Sequence, residues 1–245
     1  MIYGIFSDVH SNLHALEVVL NYFRKAGVKR YVFCGDIIGY GPKPNECIER
    51  ISQLKNCCSV MGNHDATALG IADLSKFTEY AAYVIEHAKK ILTAKSKYFL
   101  INLKQIETRE KFTVVHGSCK DPLVEYLNTG EQFLDNLHFF KTQICFTGHT
   151  HIPLTFTRKG VQFPEVKLLT NNESIYIEKK SRYVLNPGSV GQPRDGNPCA
   201  SCAIYDSAKN NFEIIRLDYP FQLTQKEMQK LKFPKFLIQR LEKGL

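Results

Sequence analysis

The chain is 245 residues long, 44% apolar and formally +8 at neutral pH, a composition that fits packed α/β structure and excludes a disordered, fibrous or disulfide-stapled chain. No stretch nears the ~18 apolar residues of a membrane span, and the first residues lack the basic-then-apolar order of an export signal, so neither a membrane protein nor an exported one is expected. Much of the positive charge lies in Lys89-Lys90, Lys179-Lys180 and the lysine-rich C-terminal stretch, which read as solvated faces; without a basic groove interleaved with aromatics, nucleic acid is not an expected partner.

The first element, Ile2-Tyr3-Gly4-Ile5-Phe6, reads as a buried strand and is followed by Asp8-Val9-His10. Leu13, Leu16, Val19, Leu20, Phe23 and Ala26 then recur at helical spacing, with Gly27 as a stop. A second strand, Tyr31-Val32-Phe33-Cys34, runs into Gly35-Asp36, and a Gly/Pro loop over 39–44 feeds a helix to about Leu54, Pro44 lying in its first turn. Val60-Met61 precedes Gly62-Asn63-His64. Between His64 and His116, the residues Phe77, Tyr80, Ala81, Val84, Ile85, Ala88 and Leu92 form one apolar helical face, either a packing helix or a cover for the rim.

Val114-Val115 leads to His116, the capping box Thr129-Gly130-Glu131-Gln132 starts a helix to about Phe139, and Ile144-Cys145-Phe146 leads to His149 and His151. From Pro153 to Arg216 short alternating strands, around 154–157, 175–177, 183–185 and 203–205, predict a mostly antiparallel sheet. The tail returns to helix, with a capping box expected at Thr224 and Glu227 and a break at Pro234. With no linker or repeat between these segments, residues 1–245 read as a single domain. The eight cysteines include Cys34 and Cys145 inside apolar strand patterns, and Cys199 and Cys202 have CxxC spacing without a second CxxC to complete a zinc tetrad; both facts favour thiols and the cytoplasm.

Five apolar runs thus each end on a histidine or carboxamide or carboxylate. Ligands of open α/β sheets gather beyond the carboxyl ends of the strands, so Asp8, His10, Asp36, Asn63, His116, His149 and His151 are expected to converge there as a binuclear metal site. Imidazole and carboxylate hold divalent transition metals, and a metal pair ~3.5–4 Å apart suits phosphoryl transfer. Mn, Fe, Ni, Co and Zn all match such donors, with Mn or Fe favoured.

These blocks resemble the signature of the calcineurin-like metallophosphoesterase superfamily: Asp8-Val9-His10, Gly35-Asp36, Gly62-Asn63-His64-Asp65, His116 and Gly148-His149-Thr150-His151 occur in the family's order, over residues 1 to about 195. The resemblance implies an α/β fold, a four-layer αββα sandwich of two mixed β-sheets flanked by helices. It implies that Asp8, His10 and His151 hold one metal, that Asn63, His116 and His149 hold the other, and that Asp36 bridges both. In the family role His64 is no ligand but contacts the phosphate and protonates the leaving oxygen. The protein Ser/Thr phosphatase branch carries Asp-Arg-Gly after its Gly-Asp, whereas this chain has Ile37-Ile38-Gly39-Tyr40-Gly41. That difference argues against a phosphoprotein substrate and for similarity to the compact prokaryotic phosphodiesterase branch.

The expected activity is therefore hydrolysis of small phosphodiesters or nucleotides by attack of metal-bound hydroxide. A dinucleoside polyphosphate hydrolase is the nearest alternative, favoured if Arg194 and Lys43 grip a distal phosphate; a nuclease and a non-catalytic scaffold of the same fold are the others. Arg194, in a rigid loop after Asn186-Pro187-Gly188-Ser189, is a candidate phosphate clamp because guanidinium matches phosphate oxygens with paired hydrogen bonds. Asn12 fits substrate binding or a helix N-cap equally, and Asp65 fits support of His64 or a cap.

Overall fold

A computed structural model describes all 245 residues. Its first sheet has the order β3 (Cys57–Ser59), β2 (Arg30–Phe33), β1 (Ile2–Phe6), β11 (Ala200–Asp206), β12 (Asn211–Leu217), β9 (Ser174–Tyr176). The second runs β4 (Ile106–Thr108), β5 (Phe112–Val115), β6 (Ile144–Phe146), β10 (Ser181–Pro187), β7 (Pro153–Lys159), β8 (Glu165–Leu168). Both sheets are mixed. β1, β2 and β3 are parallel to one another, as are β5, β6 and β10, while the remaining strands pair antiparallel.

Alternation along the strands explains the layers, because successive side chains leave opposite faces. Ile5 and Val32 point into a core shared with Phe146, Tyr183 and Leu185 of the second sheet, whereas their neighbours Phe6 and Phe33 point outward against Leu16, Val19 and Phe23. In the second sheet Cys145 and Val184 face outward, against Phe133 and Phe156. Helices α1 (Leu13–Lys25), α2 (Pro44–Ser52), α4 (Glu79–Ile91) and α5 (Ala94–Ile101) cover the first sheet, and α6 (Gly130–Asn136) covers the second. The αββα sandwich expected from the resemblance is the observed architecture. Truncating a fully buried residue such as Phe146 to Ala would cost ~3–5 kcal/mol.

Two local expectations need correction. The strands of residues 153–216 do not form one antiparallel sheet; they divide between both sheets, β10 beside β6 in parallel and β11 beside β1. Sequence alternation reports which face is buried, not which neighbour a strand chooses. Thr224 is not an N-cap either. Helix α7 (Phe221–Lys230) begins one turn earlier with Pro220 as N-cap, and Thr224 turns its hydroxyl inward to Asn12 Oδ1 at 3.0 Å. Pro234 does separate α7 from α8 (Lys235–Gln239). Short α3 (Asn63–Ala68) follows β3 directly. No helix is long and apolar enough to cross a membrane.

Candidate metal centre

The parallel strands of both sheets end at one rim, and the loops leaving them zip together. Asp8 N–H donates to the Gly35 carbonyl and Val9 N–H to that of Asp36, while Gly148 N–H donates to the carbonyl of His116. Gly62 lets the third loop approach, since a Cβ there would lie 1.9 Å from Asp36 Oδ1. Asp8, His10, Asp36, His149 and His151 are five of the ten non-glycine residues with left-handed backbone, a conformation that costs energy in ordinary residues and gathers at functional sites.

All seven expected ligands are buried and brought together. His10 Nε2 lies 3.0 Å from His151 Nε2, which is 3.3 Å from Asp8 Oδ1. His116 Nε2 lies 2.9 Å from Asn63 Oδ1 and 3.1 Å from His149 Nδ1. Between the two groups stands Asp36, whose Oδ2 is 3.6 Å from His10 Nε2 and 3.4 Å from His116 Nε2. Donor atoms sharing one ion at ~2.0–2.2 Å are ~3–3.7 Å apart, so this spacing fits two ions.

The outer ring nitrogens show why these contacts are not ordinary hydrogen bonds. His10 Nδ1 faces the Ile38 carbonyl at 3.0 Å, His151 Nδ1 that of Gln192 at 2.6 Å, His116 Nδ1 that of Cys34 at 2.8 Å, and His149 Nε2 that of Val124 at 3.3 Å. A carbonyl only accepts, so each of those nitrogens carries the proton and the inner nitrogen presents a lone pair. With the four rings neutral, four lone pairs and the oxygens of Asp8, Asp36 and Asn63 would face one another with no proton between them, and Asp8 Oδ1 is buried without a hydrogen-bond donor. A cation at each cluster resolves this repulsion. Outer carbonyls that orient ligating imidazoles are the usual support of such centres.

The electrostatics agree at three of the four rings; at His116 burial lowers the imidazole but the Asp36 charge outweighs it and raises it to about 9, so this is the one ring drawn toward the protonated form. Burial depresses His10 and His151 well below the ordinary imidazole value, and burial together with the His116 charge takes His149 down to about 3. All three favour the neutral, ligating form. Burial pushes the Asp36 carboxyl up, but His116, His64 and His10 outweigh it and hold Asp36 well below the usual carboxylate range. Burial takes His64 down to about 4 against the opposing pull of Asp36.

His64 lines a cavity of about 540 Å³ beside this cluster, and its Nδ1 is buried without a partner. Its backbone N–H donates to Asp36 Oδ1 at 2.9 Å. Arg194 lines the same cavity. Asn12 does not: its amide donates to the Gly191 carbonyl and the Tyr219 hydroxyl, and its oxygen accepts from Ala15 N–H and Thr224. The substrate-binding role expected for Asn12 is thereby corrected to the N-cap of α1, because no donor is left for a ligand. Lys43 is likewise unavailable for a distal phosphate, being paired with Glu227 at 2.6 Å. Asp65 does not touch His64; its carboxylate accepts from the backbone N–H groups of Gly62, Asp36, Ile37 and Ile38, tying two ligand loops together.

Several cavity residues were not singled out from the sequence. Tyr126 stacks on His149 with ring centres 3.7 Å apart, Phe77 meets His64 edge-on at 5.2 Å, and Tyr40 lies 5.0 Å from His64. Arg240 enters from the C-terminal segment. Tyr40 had a signal in its place in the glycine-rich loop after Asp36, and Phe77 in the apolar face offered as a cover for the rim, whereas Tyr126 and Arg240 had none.

Comparison with known proteins agrees with the fold and the motif order. A family model described as calcineurin-like phosphoesterase superfamily domain matches residues 1–210. The protein MJ0912 of Methanocaldococcus jannaschii is 38% identical over 246 residues, covering 98% of this chain and 97% of that protein. A metallophosphoesterase of Sphaerobacter thermophilus superimposes with a TM-score of 0.89 at 36% identity, over 100% of this chain and 99% of its own. Phosphodiesterase YfcE of Escherichia coli is 24% identical over 204 residues, 79% of this chain and 82% of that protein.

Proposed function

The chain belongs to the calcineurin-like phosphoesterase superfamily and is a metal-dependent phosphoric ester hydrolase; from that premise we propose that it hydrolyses small phosphodiesters or nucleotides at a dinuclear centre. In this reading Asp8, His10 and His151 hold one divalent transition metal, Asn63, His116 and His149 hold the other, and Asp36 bridges them. A bound metal pair supplies Lewis acidity toward the phosphoryl oxygens and a nucleophile at neutral pH. Four imidazoles, two carboxylates and one carboxamide suit manganese, iron, nickel, cobalt or zinc, manganese or iron being our first choice. The observation that carries the proposal is the convergence of four inward ring nitrogens with the oxygens of Asp8, Asp36 and Asn63 beside a cavity that holds one further histidine.

The remaining steps belong to the chain's own side chains. In this reading His64, although its ring lies near His10 and Asp36, is not a ligand but lines the cavity, where a bound phosphate adds negative charge beside its ring and raises its hold on a proton. It then delivers that proton to the departing oxygen, sparing the formation of a free alkoxide. Phe77, Tyr126 and Leu123 shield the reacting phosphorus from bulk water. Residues 1–245 act as one domain in this reading, since both sheets contribute ligands, and eight free thiols suit the cytoplasm.

The test is hydrolysis by metal-reconstituted protein of a panel comprising phosphomonoesters, cyclic nucleotides, aryl phosphodiesters and dinucleoside tetraphosphates. Turnover of aryl phosphodiesters or a nucleotide is expected. Protein that carries two metals and hydrolyses no member of the panel would leave the scaffold reading in its place.

A further inference from the structure

Arg194 and Arg240 both line the cavity, and each guanidinium carbon lies 5.7 Å from the centre of the Tyr40 ring. Three other arginines pair with carboxylates, Arg50 with Glu17, Arg109 with Glu107 and Arg216 with Asp195. These two meet no carboxylate side chain. Arg194 donates to Gln192 Oε1 at 2.9 Å and to the Tyr40 hydroxyl at 3.3 Å, and Arg240 Nε donates to the backbone oxygen of Leu245 at 2.5 Å. Burial first and the neighbouring Arg194 charge second lower Arg240 to about 10. Two like charges held near one another, with no acidic side chain paired to either, repel in a way that a bound anion would relieve.

The pair is also held in place by structure that has no other evident use. Arg216 fixes the Arg194 loop through two hydrogen bonds to Asp195, at 2.8 and 3.0 Å, and a third to the Asn197 carbonyl at 2.8 Å. The turn after Arg240 docks on the same loop, with Gly196 N–H donating to the Gly244 carbonyl at 2.9 Å. Gly244 has φ +63° and a Cβ there would meet the Asn197 backbone at 2.5 Å. The C-terminal segment is thus pinned against the loop that carries the other arginine. Among the remaining charged groups of the cavity wall, Lys76 is a cation, and the Asp73 carboxylate is already engaged by the backbone and hydroxyl of Ser75.

We propose that Arg194 and Arg240 bind a second anionic group of the substrate, so that the preferred substrate is a phosphoester bearing a further phosphate. This rests on the reading of the cavity as the phosphoester site. Each planar fork matches phosphate oxygens with paired, charge-assisted hydrogen bonds. A volume of about 540 Å³ lies in the range of small-molecule sites and leaves room beyond one phosphate. The second phosphate belongs either to a polyphosphate chain or to a second position of a nucleotide.

Calorimetric titration of metal-loaded protein with thymidine 5′-monophosphate, 5′-diphosphate and 3′,5′-bisphosphate separates these cases. One doubly phosphorylated ligand should bind about tenfold or more tightly than the monophosphate, since hydrogen bonds to charged groups contribute at least that much. The diphosphate wins if the site serves a chain, the bisphosphate if it serves a second position. Arg194→Gln and Arg240→Gln should each abolish most of the preference, and Arg240→Lys, which keeps charge and stem, should lose part of it and covers the case where the glutamine variant misfolds. No preference in the unaltered protein, or a preference that survives all three substitutions, overturns the proposal. Hydrolysis of thymidine 5′-(4-nitrophenyl phosphate) by the same preparation is scored separately: tight binding of a second phosphate without nitrophenolate release would sink the phosphodiesterase reading and leave the two-arginine site standing.

Discussion

In the dinuclear reading a single oxygen would join the two halves of the site. Asp36 Oδ2 faces both His10 and His116, so Asp36→Ala removes the shared anion from both halves at once. Elemental analysis should find about two metals in the unaltered chain and loss of both in the variant, and retention of one would remove the bridging role. His64 makes the opposite prediction. His64→Ala should keep both metals and lower turnover by ~100- to 10,000-fold for alkyl leaving groups, with a much smaller effect for nitrophenolate, which departs without a proton. Equal losses on both substrates would make His64 a phosphate-binding group instead. The clustering of the seven expected ligands and His64 was legible because each is a chemically distinctive residue directly after an apolar strand. The carbonyls that orient the imidazoles were not, since Ile38, Gln192, Cys34 and Val124 contribute backbone oxygens that every residue possesses.

Between elements, the loops after β2 and β3 are joined by one carboxylate. Asp65 sits in the first turn of α3 and accepts backbone hydrogen bonds from Gly62 in its own loop and from Asp36, Ile37 and Ile38 in the other. Burial and then the Asp36 charge raise its carboxyl to about 7, so this brace is sensitive to any loss of acceptor strength. Asp65→Asn replaces one acceptor oxygen with a donor that faces other donors. It should lower metal affinity ~10–100-fold, as loss of a supporting hydrogen bond typically does, and destabilise the fold by ~2–3 kcal/mol. A chelator competition and a urea melt measure the two effects, and unchanged values in both would assign Asp65 to simple helix capping. Helix α4 resolves the question its apolar face left open. Val84, Ile85 and Ala88 pack into the core, while Phe77, Thr78 and Ala81 at its start line the cavity, so the segment is a packed wall with its N-terminal end on the site.

Across the molecule, the centre spans the seam of the sandwich. Asp8 and Asp36 leave the first sheet, His116 and His149 leave the second, and direct protein links at the rim include His149 N–H donating to Asp8 Oδ2 at 3.1 Å. Metals bound here cross-link the two sheets, which ties metal occupancy to global stability. A free-metal concentration one hundred times the dissociation constant stabilises by ~2.7 kcal/mol per site, about 5 kcal/mol for two, and for a chain of this size chelation of both should lower Tm by roughly 11–22 °C. A Tm that chelator leaves unchanged would mean that the ligands do not clamp the sheets. The sequence by itself determined the strand-end ligand set, the βα order of the first half and the exclusion of a membrane span, because strand periodicity and ligand chemistry are local properties written in consecutive residues. Only the tertiary structure decided that residues 153–216 divide between two sheets, that the Asn12 amide is taken up by Gly191 and Tyr219 and Lys43 pairs with Glu227 of α7, and that Arg240 reaches the cavity from the C-terminal segment. Those outcomes depend on which distant surfaces bury one another, and neither the spacing around Asn12 nor the lysine-rich stretch around Arg240 encodes its partner.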